Sequence, residues 1–354
     1  MKIVIIGLSI TSSWGNGHAT TYRSLVSGLA QYGQDVLFLE RDRPWYSDHR
    51  DMPHPPFCET ALYQSVADLE EQHAQAIIEA ELVIVGSYVA EGPEVCRLVQ
   101  RIARGVTAFY DIDTPVTLAA LAQGRCDYIT PDLIPGFGLY LSFTGGPTLR
   151  MIERRFGAKA ARALYCSADP DLNAPDPATK PIYDLGYLGT YSLDRQPKLD
   201  LLLCTPARLW PEGRFNVTGP QYPAVIHWPE NVQRSDHSAP GEHRAFYASQ
   251  RYTLNITRAD MIRAGYSPSV RLFEAAACGT AIITDSWPGL DTLFKPDIEI
   301  AVVQTPEDVL RTLQDTPDHL RSAMADRARS RVLQHHTGRH RAAELMGYVR
   351  DANR

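Results

Sequence analysis

Short apolar runs alternate with amphipathic stretches along most of the chain, which is the pattern of alternating strands and helices. The first run, residues 1–7, is rich in β-branched side chains, as is typical of a strand buried on both faces of a parallel sheet. After a polar loop, apolar and small residues recur at helical spacing over 18–32, and Gly33 is placed to end that helix. Residues 36–39 predict a second strand. This strand–loop–helix–strand unit predicts a Rossmann-like opening.

The same alternation predicts two α/β domains. Residues 167–181 concentrate Pro, Asp and Ala, and residues that precede proline favour extended conformations, so this segment is the predicted linker. The prediction is an α/β protein with Rossmann-like domains at 1–166 and 182–330, and a final helix at 331–354 that packs back on the first domain. Two such domains are expected to face each other across a cleft. The later strands are predicted at 82–85, 106–110, 128–129, 163–165, 183–188, 215–218, 225–226, 252–256 and 281–284.

Composition narrows the class of partner. The chain has 354 residues, 44% hydrophobic and 21% charged, which is typical of soluble globular proteins. Its formal net charge of −6 provides no basic field for nucleic acid or an anionic membrane, so a small-molecule partner is expected. The apolar N-terminal run is too short for a signal peptide, and no segment is long enough to span a membrane, so a cytoplasmic location is predicted. Six cysteines without CxxC or CxxH spacing predict reduced thiols rather than a zinc site.

The strongest chemical signal is SPSVRLFEAAACGTAIITD, residues 267–285. Ser267 and Pro268 are expected to cap and start a helix whose first free N–H groups form an anion site suited to phosphate. Small residues in the rest of this helix allow close packing before the strand at 281–284. An ordinary capped helix packed on a sheet explains the same spacing equally well. The N–H groups expected to bind phosphate belong to Ser269, Val270 and Arg271, and the Arg271 guanidinium adds a charge there.

The letters EAAACGTAIITD resemble the donor-site signature of GT-B glycosyltransferases. The resemblance implies that Glu274 binds the ribose of a nucleotide sugar while the helix N-terminus before it takes the diphosphate. The wider stretch, with LNITRADM at 254–261, is similar to the CgeB-like glycosyltransferases, named after a spore-maturation protein. It implies a nucleotide-diphosphate sugar, UDP- or dTDP-linked, as co-substrate and no separate cofactor. Retaining GT-B enzymes with a two-glutamate motif have a second Glu where this chain has Tyr266, so the retaining mechanism loses support.

The loop WGNGH, residues 14–18, is the second candidate site. Gly15 and Gly17 lack the spacing of a dinucleotide-binding GxGxxG, so hydride chemistry is not indicated. The loop resembles the opening of inverting GT-B enzymes, in which glycines let a sugar approach the backbone and a histidine is the general base. The resemblance implies this role for His18, and a helix N-terminus should lower its pKa and keep it neutral. A histidine that only caps or packs the loop is the alternative.

A base histidine needs an orienting carboxylate, and Asp111 and Asp113 follow the strand predicted at 106–110. Asp113 is favoured, although Asp113-Thr114-Pro115 also has the form of a helix cap. Asp111-Ile112-Asp113 matches the DxD motif with which GT-A enzymes hold a metal ion. A second α/β half with its own nucleotide signature favours a metal-independent GT-B enzyme with no metal site.

Weaker candidates lie in the loops of the second domain. Thr190 and Tyr191 follow a strand and are expected near phosphate or sugar, while Arg258 follows another strand and is expected to neutralise the diphosphate. Asn231 and Val232 stand where GT-B enzymes commonly seat the nucleotide base. In the first domain, the aromatic and basic stretch 40–50 is expected to shape the acceptor site.

These features predict a hexosyltransferase that moves a sugar from a nucleotide-diphosphate sugar to an acceptor hydroxyl, with inversion at the anomeric carbon. Two alternatives stay open. One is a nucleotide-sugar epimerase or hydrolase with the same architecture, and the other is a non-catalytic two-lobed protein that binds a sugar or nucleotide. The donor base, the sugar, the acceptor and the oligomeric state do not follow from the sequence.

Overall fold

The computed structural model describes residues 1–14, 17–236 and 238–354, which form two compact units. Unit 1 comprises Met1–Ser167 together with Gly338–Arg354, and unit 2 comprises Ala168–Thr337. The chain therefore leaves unit 1 once and returns to it for its last helix.

Unit 1 is built on a seven-stranded, wholly parallel sheet with strand order β3-β2-β1-β4-β5-β6-β7. The β-branched run at the N-terminus forms β1, an interior strand of this sheet. Val4 and Ile6 pack into one hydrophobic core and Ile3 and Ile5 into another, because successive side chains of a strand point to opposite faces. The strands are β1 (Lys2–Gly7), β2 (Asp35–Arg41), β3 (Glu59–Tyr63), β4 (Leu82–Gly86), β5 (Val106–Asp111), β6 (Leu139–Ser142) and β7 (Ala161–Ala163).

Helices cover both faces of this sheet, as an all-parallel sheet requires. They are α1 (His18–Gln31), α2 (Pro44–Ser47), α3 (Val66–Glu79), α4 (Gly92–Ile102), α5 (Thr114–Ala122) and α6 (Pro147–Phe156), and the C-terminal helix, α14 (Gly338–Ala352), also belongs to unit 1. The first helix begins at His18 and ends one residue before the predicted end.

Helices α1 and α14 approach closely at two glycines. A Cβ built on Gly28 would lie 2.2 Å from the carbonyl oxygen of Gly338, and a Cβ on Gly338 would lie 1.9 Å from that of Ser24. These distances are far below van der Waals contact, and the atoms met are backbone. The absence of side chains at both positions therefore allows this helix pair to pack.

We expect Gly28→Ala to lower the free energy of unfolding by about 1–3 kcal/mol, because the added methyl group forces the two helix backbones apart. Urea-induced unfolding measures this change. Gly347→Ala is the matched control, since a Cβ there meets only Arg350 Nη2 at 3.7 Å. Within helix α14 the control should be neutral or stabilising by about 0.5–1 kcal/mol. Equal effects of the two substitutions would contradict the role assigned to Gly28.

Unit 2 contains a six-stranded parallel sheet in the order β10-β9-β8-β11-β12-β13. Its strands are β8 (Tyr183–Leu188), β9 (Phe215–Thr218), β10 (Val232–Ser235), β11 (Gln250–Asn255), β12 (Ala281–Thr284) and β13 (Ala301–Val302). Its helices are α7 (Gln196–Leu199), α8 (Thr205–Leu209), α9 (His243–Ala248), α10 (Ala259–Ala264), α11 (Val270–Ala277), α12 (Pro306–Asp315) and α13 (Asp318–His335), with a π-helical turn (Asp200–Cys204) joining α7 to α8.

Some predicted elements differ from the observed ones. Residues 128–129 and 225–226 are not strands, and β3, β6, β10 and β13 were not predicted. The side chains of Tyr128 and Ile129 pack into the hydrophobic core of unit 1, although the two residues do not belong to its sheet. Val225 is 77% exposed. Burial and strand pairing are separate properties, and a short apolar pair in the sequence does not distinguish them.

The predicted linker and the final helix also differ in detail. Residues 167–181 contain no helix or strand, but nearly all of them belong to unit 2, where Ala168 forms a β-bridge with Thr337 and the carbonyl of Pro175 accepts a hydrogen bond from Arg244. The segment 331–354 is not one helix, because α13 ends at His335 within unit 2 and α14 starts at Gly338 within unit 1.

In the part of the chain that the structure describes, no helix has the length and apolar character needed to cross a membrane.

Candidate functional site

Each sheet has a point at which the strand order reverses, and the loops at the carboxyl ends of its strands form a crevice there. In unit 1 this point lies between β1 and β4, and in unit 2 between β8 and β11. The loop after β1 leads to His18, and the loops after β8 and β11 carry Thr190, Tyr191 and Arg258. The two crevices thus contain many of the predicted site residues.

In unit 1, Tyr88 stands between His18 and Asp113. The ring of His18 meets that of Tyr88 edge-on at 5.2 Å, and the Tyr88 hydroxyl donates to Asp113 Oδ2 at 3.2 Å. Among the described residues, this three-residue arrangement stands in place of the expected hydrogen bond from the imidazole N–H to a carboxylate. His18 Nδ1 is buried and has no hydrogen-bond partner among the residues that the structure describes.

The electrostatics of His18 follow from its burial. Burial lowers the pKa of His18 to about 4, from an ordinary value of 6.5, because the charged imidazolium loses its hydration. The direction agrees with the sequence-based expectation, but desolvation replaces the helix dipole as the main cause. The imidazole is therefore neutral at pH 7 and able to accept a proton.

The carboxylate of Asp111 is buried and hydrogen-bonded within the protein. Thr117 Oγ1 and the Tyr140 hydroxyl each donate to its carboxylate at 2.6 Å, and the residue is fully buried at the end of β5. Burial, partly offset by these hydrogen bonds, raises the pKa of Asp111 to about 6. With both oxygens already engaged, Asp111 does not present a free carboxylate to a metal ion or to His18. Asp113 is thus the carboxylate that the structure brings towards His18.

A buried polar network supports the loop between β1 and α1. The carboxylate of Glu40, at the end of β2, accepts hydrogen bonds from the N–H groups of Ile10 and Thr11 and from the Thr11 hydroxyl. Arg23 forms a bidentate ion pair with Asp51 at 2.8 and 2.9 Å, and its Nε donates to the carbonyl of Ile10. These contacts hold the described part of the loop, residues 8–14, that leads to His18. Gly15 lies outside the described residues.

Gly17 precedes His18 and borders open space. A Cβ built on it would meet nothing within 4 Å among the described atoms, and it is the N-cap residue of α1. The approach of a ligand to the backbone at Gly17 stays a prediction from the sequence.

In unit 2, helix α11 begins later than predicted. Its N-cap is Ser269, whose hydroxyl accepts from the N–H of Arg271, and Val270 is its first residue; Ser267 is buried two positions earlier. Ser269, and not Ser267, is therefore the residue that caps this helix.

Most of the contacts of the Arg271 guanidinium are with other residues around this crevice. Its Nε donates to the carbonyl of Leu188 at 2.6 Å, its Nη1 donates to Asn255 at 3.0 Å, and its guanidinium lies 4.9 Å from the ring centroid of Tyr187. Nη2 faces Gly189, where an added Cβ would lie 2.8 Å away. Arg271 thus links α11 to the ends of β8 and β11, with Nη2 directed at the loop after β8.

Arg271 belongs to a cluster of three arginines with Arg195 and Arg258. Burial, together with the positive charges of Arg271 and Arg258, holds the pKa of Arg195 below its ordinary value. Arg195 Nη2 donates to the carbonyl of Thr190 at 2.7 Å, and its Nε is buried without a hydrogen-bond partner among the described residues. Asp194 lies 3.8 Å from Arg258 Nε. Mutually repelling cations in one crevice favour an anionic ligand.

The loop after β8 adds polar and aromatic groups to this cluster. The N–H of Tyr191 donates to the carbonyl of Pro220, and its ring lies 5.6 Å from that of Tyr222. The Tyr222 hydroxyl donates to the carbonyl of Gly189. Thr190 and Tyr191 are therefore held by backbone bonds next to the arginines.

Glu274 lies deeper along helix α11 in a buried pair with His243. His243 Nδ1 is 3.4 Å from Glu274 Oε2, and the Tyr247 hydroxyl donates to the same oxygen at 3.2 Å. Burial works to raise the pKa of Glu274, but the hydrogen bonds from His243 and Tyr247 and nearby positive charge outweigh it and leave the pKa below its ordinary value. Glu274 is therefore an ionised, pre-oriented carboxylate.

Asn231 and Val232 lie away from the other candidate site residues, which are at the carboxyl edge of the unit 2 sheet. They lie where β10 starts, which is the opposite edge of a parallel sheet. The Asn231 side-chain amide donates to the carbonyls of Ala207, Trp210 and Gly213, and the Val232 side chain packs into the core of unit 2. Tertiary contacts thus account for both residues without a ligand.

Tyr88 and Arg195 are candidate site residues that the sequence does not predict. Tyr88 has a φ of 64°, a left-handed conformation that a bulky residue rarely adopts and that only its surroundings can hold. No local motif marks either residue. The available signal was position, since Tyr88 follows β4 and Arg195 follows β8, the strands that flank the two reversal points.

Comparison with known proteins adds a family model and several structures. A model described as glycosyl transferase-like matches residues 195–347. No curated protein matches the sequence. Similar solved structures include sucrose-phosphate synthase from Thermosynechococcus elongatus, with 16% identity, a TM-score of 0.68 and 99% of each chain covered.

Two further structures are similar over nearly their whole length. HepE from Anabaena, in complex with UDP and glucose, has 13% identity, a TM-score of 0.68 and coverage of 99% of this chain and 100% of that one. An alpha-glucosyltransferase in complex with UDP-glucose and DNA containing an abasic site has 12% identity, a TM-score of 0.72 and coverage of 98% of each chain. At these identities the likeness shows the fold, and it confirms the predicted GT-B architecture of two Rossmann-like domains.

Proposed function

We propose that the protein is a glycosyltransferase that moves a hexose from a nucleotide-diphosphate sugar to an acceptor hydroxyl. Unit 2 binds the donor, with UDP or dTDP as the nucleotide, and unit 1 binds the acceptor. The glycosyl transferase-like match over 195–347 and the UDP and UDP-glucose complexes of HepE and the alpha-glucosyltransferase support this proposal. Membership of the CgeB-like group remains a prediction from the sequence.

The observation that carries the proposal is the arginine cluster beside the N-terminus of α11. Arg195, Arg258 and Arg271 lie with that N-terminus at the carboxyl ends of β8 and β11, and Glu274 lies along the same helix. Guanidinium groups and free N–H groups bind phosphate oxygens, and a carboxylate accepts hydrogen bonds from the two hydroxyls of a ribose. One crevice thus supplies partners for the diphosphate and for the ribose of a nucleoside diphosphate.

The proposed reaction is metal-independent and inverts the anomeric carbon. Neutral His18 takes the proton of the acceptor hydroxyl as its oxygen attacks that carbon, and the bond from the carbon to the diphosphate oxygen breaks. The bonding pair leaves with the diphosphate, whose new charge the arginines and the α11 N-terminus stabilise. The negative charge of Asp113 favours the imidazolium that forms, and its carboxylate holds the Tyr88 ring against His18. The absence of a second glutamate at Tyr266 and the position of His18 support inversion.

Donor binding tests the proposal directly. We expect UDP-glucose or dTDP-glucose to raise the melting temperature of the wild-type protein, since a ligand that binds only the folded state stabilises it. Excess EDTA should leave both the shift and the transfer rate unchanged. A panel of UDP-, dTDP-, GDP- and ADP-sugars, read by differential scanning fluorimetry, identifies the base. No shift with any of them would sink the proposal.

Glu274→Gln should reduce the donor-induced shift, because the neutral amide is a weaker acceptor for the ribose hydroxyls. Glu299→Gln is the matched control, a second buried glutamate of unit 2 that pairs with Arg331 rather than lying on α11. The shift is measured against each variant's own melting temperature, so that a loss of stability does not affect the comparison. Product configuration determined by NMR tests inversion, and hydrolysis of the donor without an acceptor would favour the hydrolase alternative.

A further inference from the structure

A cavity of about 260 Å³ opens at the carboxyl edge of the unit 1 sheet. Its wall begins with Gly7 and Leu8, where β1 ends, and includes residues that follow β2 and β4. It therefore lies in the crevice at the reversal point of that sheet, where ligands of open α/β sheets bind. The side chains that characterise it are those of Arg41, Arg43, Trp45, Tyr88, Glu91 and Asp127.

This cavity shares a wall with the candidate base. Tyr88 lines it, and the same ring meets His18 edge-on at 5.2 Å and donates its hydroxyl to Asp113. A molecule bound in the cavity therefore contacts the same tyrosine that packs against the candidate base.

The charges in the cavity divide into a pair and two single groups. Arg41 and Glu91 form an ion pair at 2.5 Å and neutralise each other. Arg43 has no carboxylate within salt-bridge distance in the part of the chain that the structure describes, and its guanidinium lies over the Trp45 ring at 5.1 Å. Asp127 is exposed and likewise has no cation partner among the described residues. The cavity thus offers one cation and one anion to a ligand.

Trp45 provides the apolar surface. The residue is 55% exposed, and the Arg43 guanidinium lies over part of its ring. A flat indole beside hydrogen-bonding groups suits a molecule with one apolar face and polar edges. A sugar ring has this form, with C–H groups on a face and hydroxyls around the edge.

We propose that this cavity binds the acceptor, and that the acceptor is a sugar carrying a phosphate or a carboxylate. The ring packs on Trp45, Arg43 binds the anionic group through its fork of N–H donors, and Asp127 accepts hydrogen bonds from ring hydroxyls. This inference rests on the proposed function for the identity of the ligand as acceptor, but the binding site itself is separate from the donor crevice of unit 2.

Calorimetric titration of the full chain without donor tests it. The probes are matched sets of a neutral hexose, its 6-phosphate and its uronic acid in the gluco, galacto and manno series. We expect at least one acidic sugar to bind about tenfold or more tightly than its neutral parent, because the hydrogen bonds to Arg43 are charge-assisted. The 6-phosphate and uronate arms distinguish the two anionic groups. No binding of any probe at millimolar concentration, or no preference for the acidic forms, would overturn the proposal.

Variants assign the preference to residues. Arg43→Gln should abolish the preference for the acidic sugar and leave the affinity for the neutral one, while Trp45→Ala should weaken both. Arg97→Gln is the control, an exposed arginine of unit 1 outside the cavity. An unchanged preference in Arg43→Gln would overturn the assignment.

The donor-induced shift separates this inference from the proposed function. A shift with a nucleotide sugar but no binding of acidic sugars would reject the acceptor site and leave the glycosyltransferase standing. Binding of an acidic sugar that Arg43→Gln weakens, with no shift by any nucleotide sugar, would reject the glycosyltransferase and retain the site.

Discussion

Alanine at position 18 is expected to lower the kcat of sugar transfer by about 10²–10⁴-fold, the usual contribution of a general base, while the donor-induced rise in melting temperature persists. The physical reason is that a hydroxyl attacks poorly unless its proton is removed, and His18 is a neutral imidazole packed against Tyr88, which lines the cavity of unit 1. Transfer is measured by release of the nucleoside diphosphate and by mass analysis of the product. Unchanged kcat would remove His18 from the mechanism.

The pH dependence offers a second test of His18. Because burial lowers its pKa to about 4, the imidazole stays neutral as pH falls from 7 towards 5, so protonation of His18 should reduce kcat only below about pH 5. An inflection near pH 6.5 that disappears in His18→Ala would show instead that the imidazole has its ordinary pKa. His73→Ala, in helix α3, is the control histidine.

Tyr88→Phe shows whether Asp113 acts through the tyrosine. The phenylalanine retains the ring against His18 but removes the hydroxyl that donates to Asp113. If Asp113 is a positioning residue that works through this hydroxyl, Tyr88→Phe and Asp113→Asn should lower kcat by similar factors, and the double variant should cost little more than either. Additive losses would mean that the two residues act separately.

Replacement of Arg195 by glutamine should lower kcat by about 10²–10³-fold, in the range reported for removing one preorganised donor from a developing charge. The Arg195 guanidinium, whose Nε is buried, lies beside Arg258 and Arg271, so its charge acts on the leaving diphosphate together with theirs. Inhibition by UDP should weaken in parallel, because the product carries the same diphosphate.

Arg208→Gln is the matched control for Arg195, since it removes an exposed arginine from helix α8 in the same unit. The control should leave kcat within a factor of about two, as expected of an exposed charge away from the site. If Arg195→Gln lowered the melting temperature but not kcat, its contact with the Thr190 carbonyl would be structural and the arginine cluster would lose one member.

The parts of the candidate site in unit 1 and unit 2 differ in how well the sequence predicts them. Helix α11 was predictable because its cap, small residues and following strand are contiguous, and the structure moves its start by only one or two positions. Asp113 could not be separated from Asp111 in the sequence. The structure separates them because Thr117 and Tyr140 donate hydrogen bonds to the Asp111 carboxylate. Tyr140 lies 29 residues further along the chain, so no local pattern shows this contact.

Asn231 and Val232 show most clearly which property of a residue the sequence does not predict. A parallel sheet has two chemically distinct edges, and the edge at which a residue lies depends on where its strand begins. The apolar pair at 225–226 suggested a strand that would end before Asn231, whereas β10 starts at Val232 and places both residues at the amino edge. The resemblance to GT-B enzymes that names these two candidates does not determine at which edge of the sheet they lie.

By itself the sequence determined the α/β class, the two Rossmann-like domains, and the helix and loop that carry Glu274 and His18, because periodicity, caps and glycines act over short distances. Only the tertiary structure decided that Tyr88 stands between His18 and Asp113, that Arg195 joins Arg258 and Arg271, and that Arg43 and Trp45 line a cavity beside the candidate base. These groupings depend on strand order and register, which bring together residues from different parts of the chain. No local pattern encodes that proximity, because it arises from burying all the strands of each unit in one sheet.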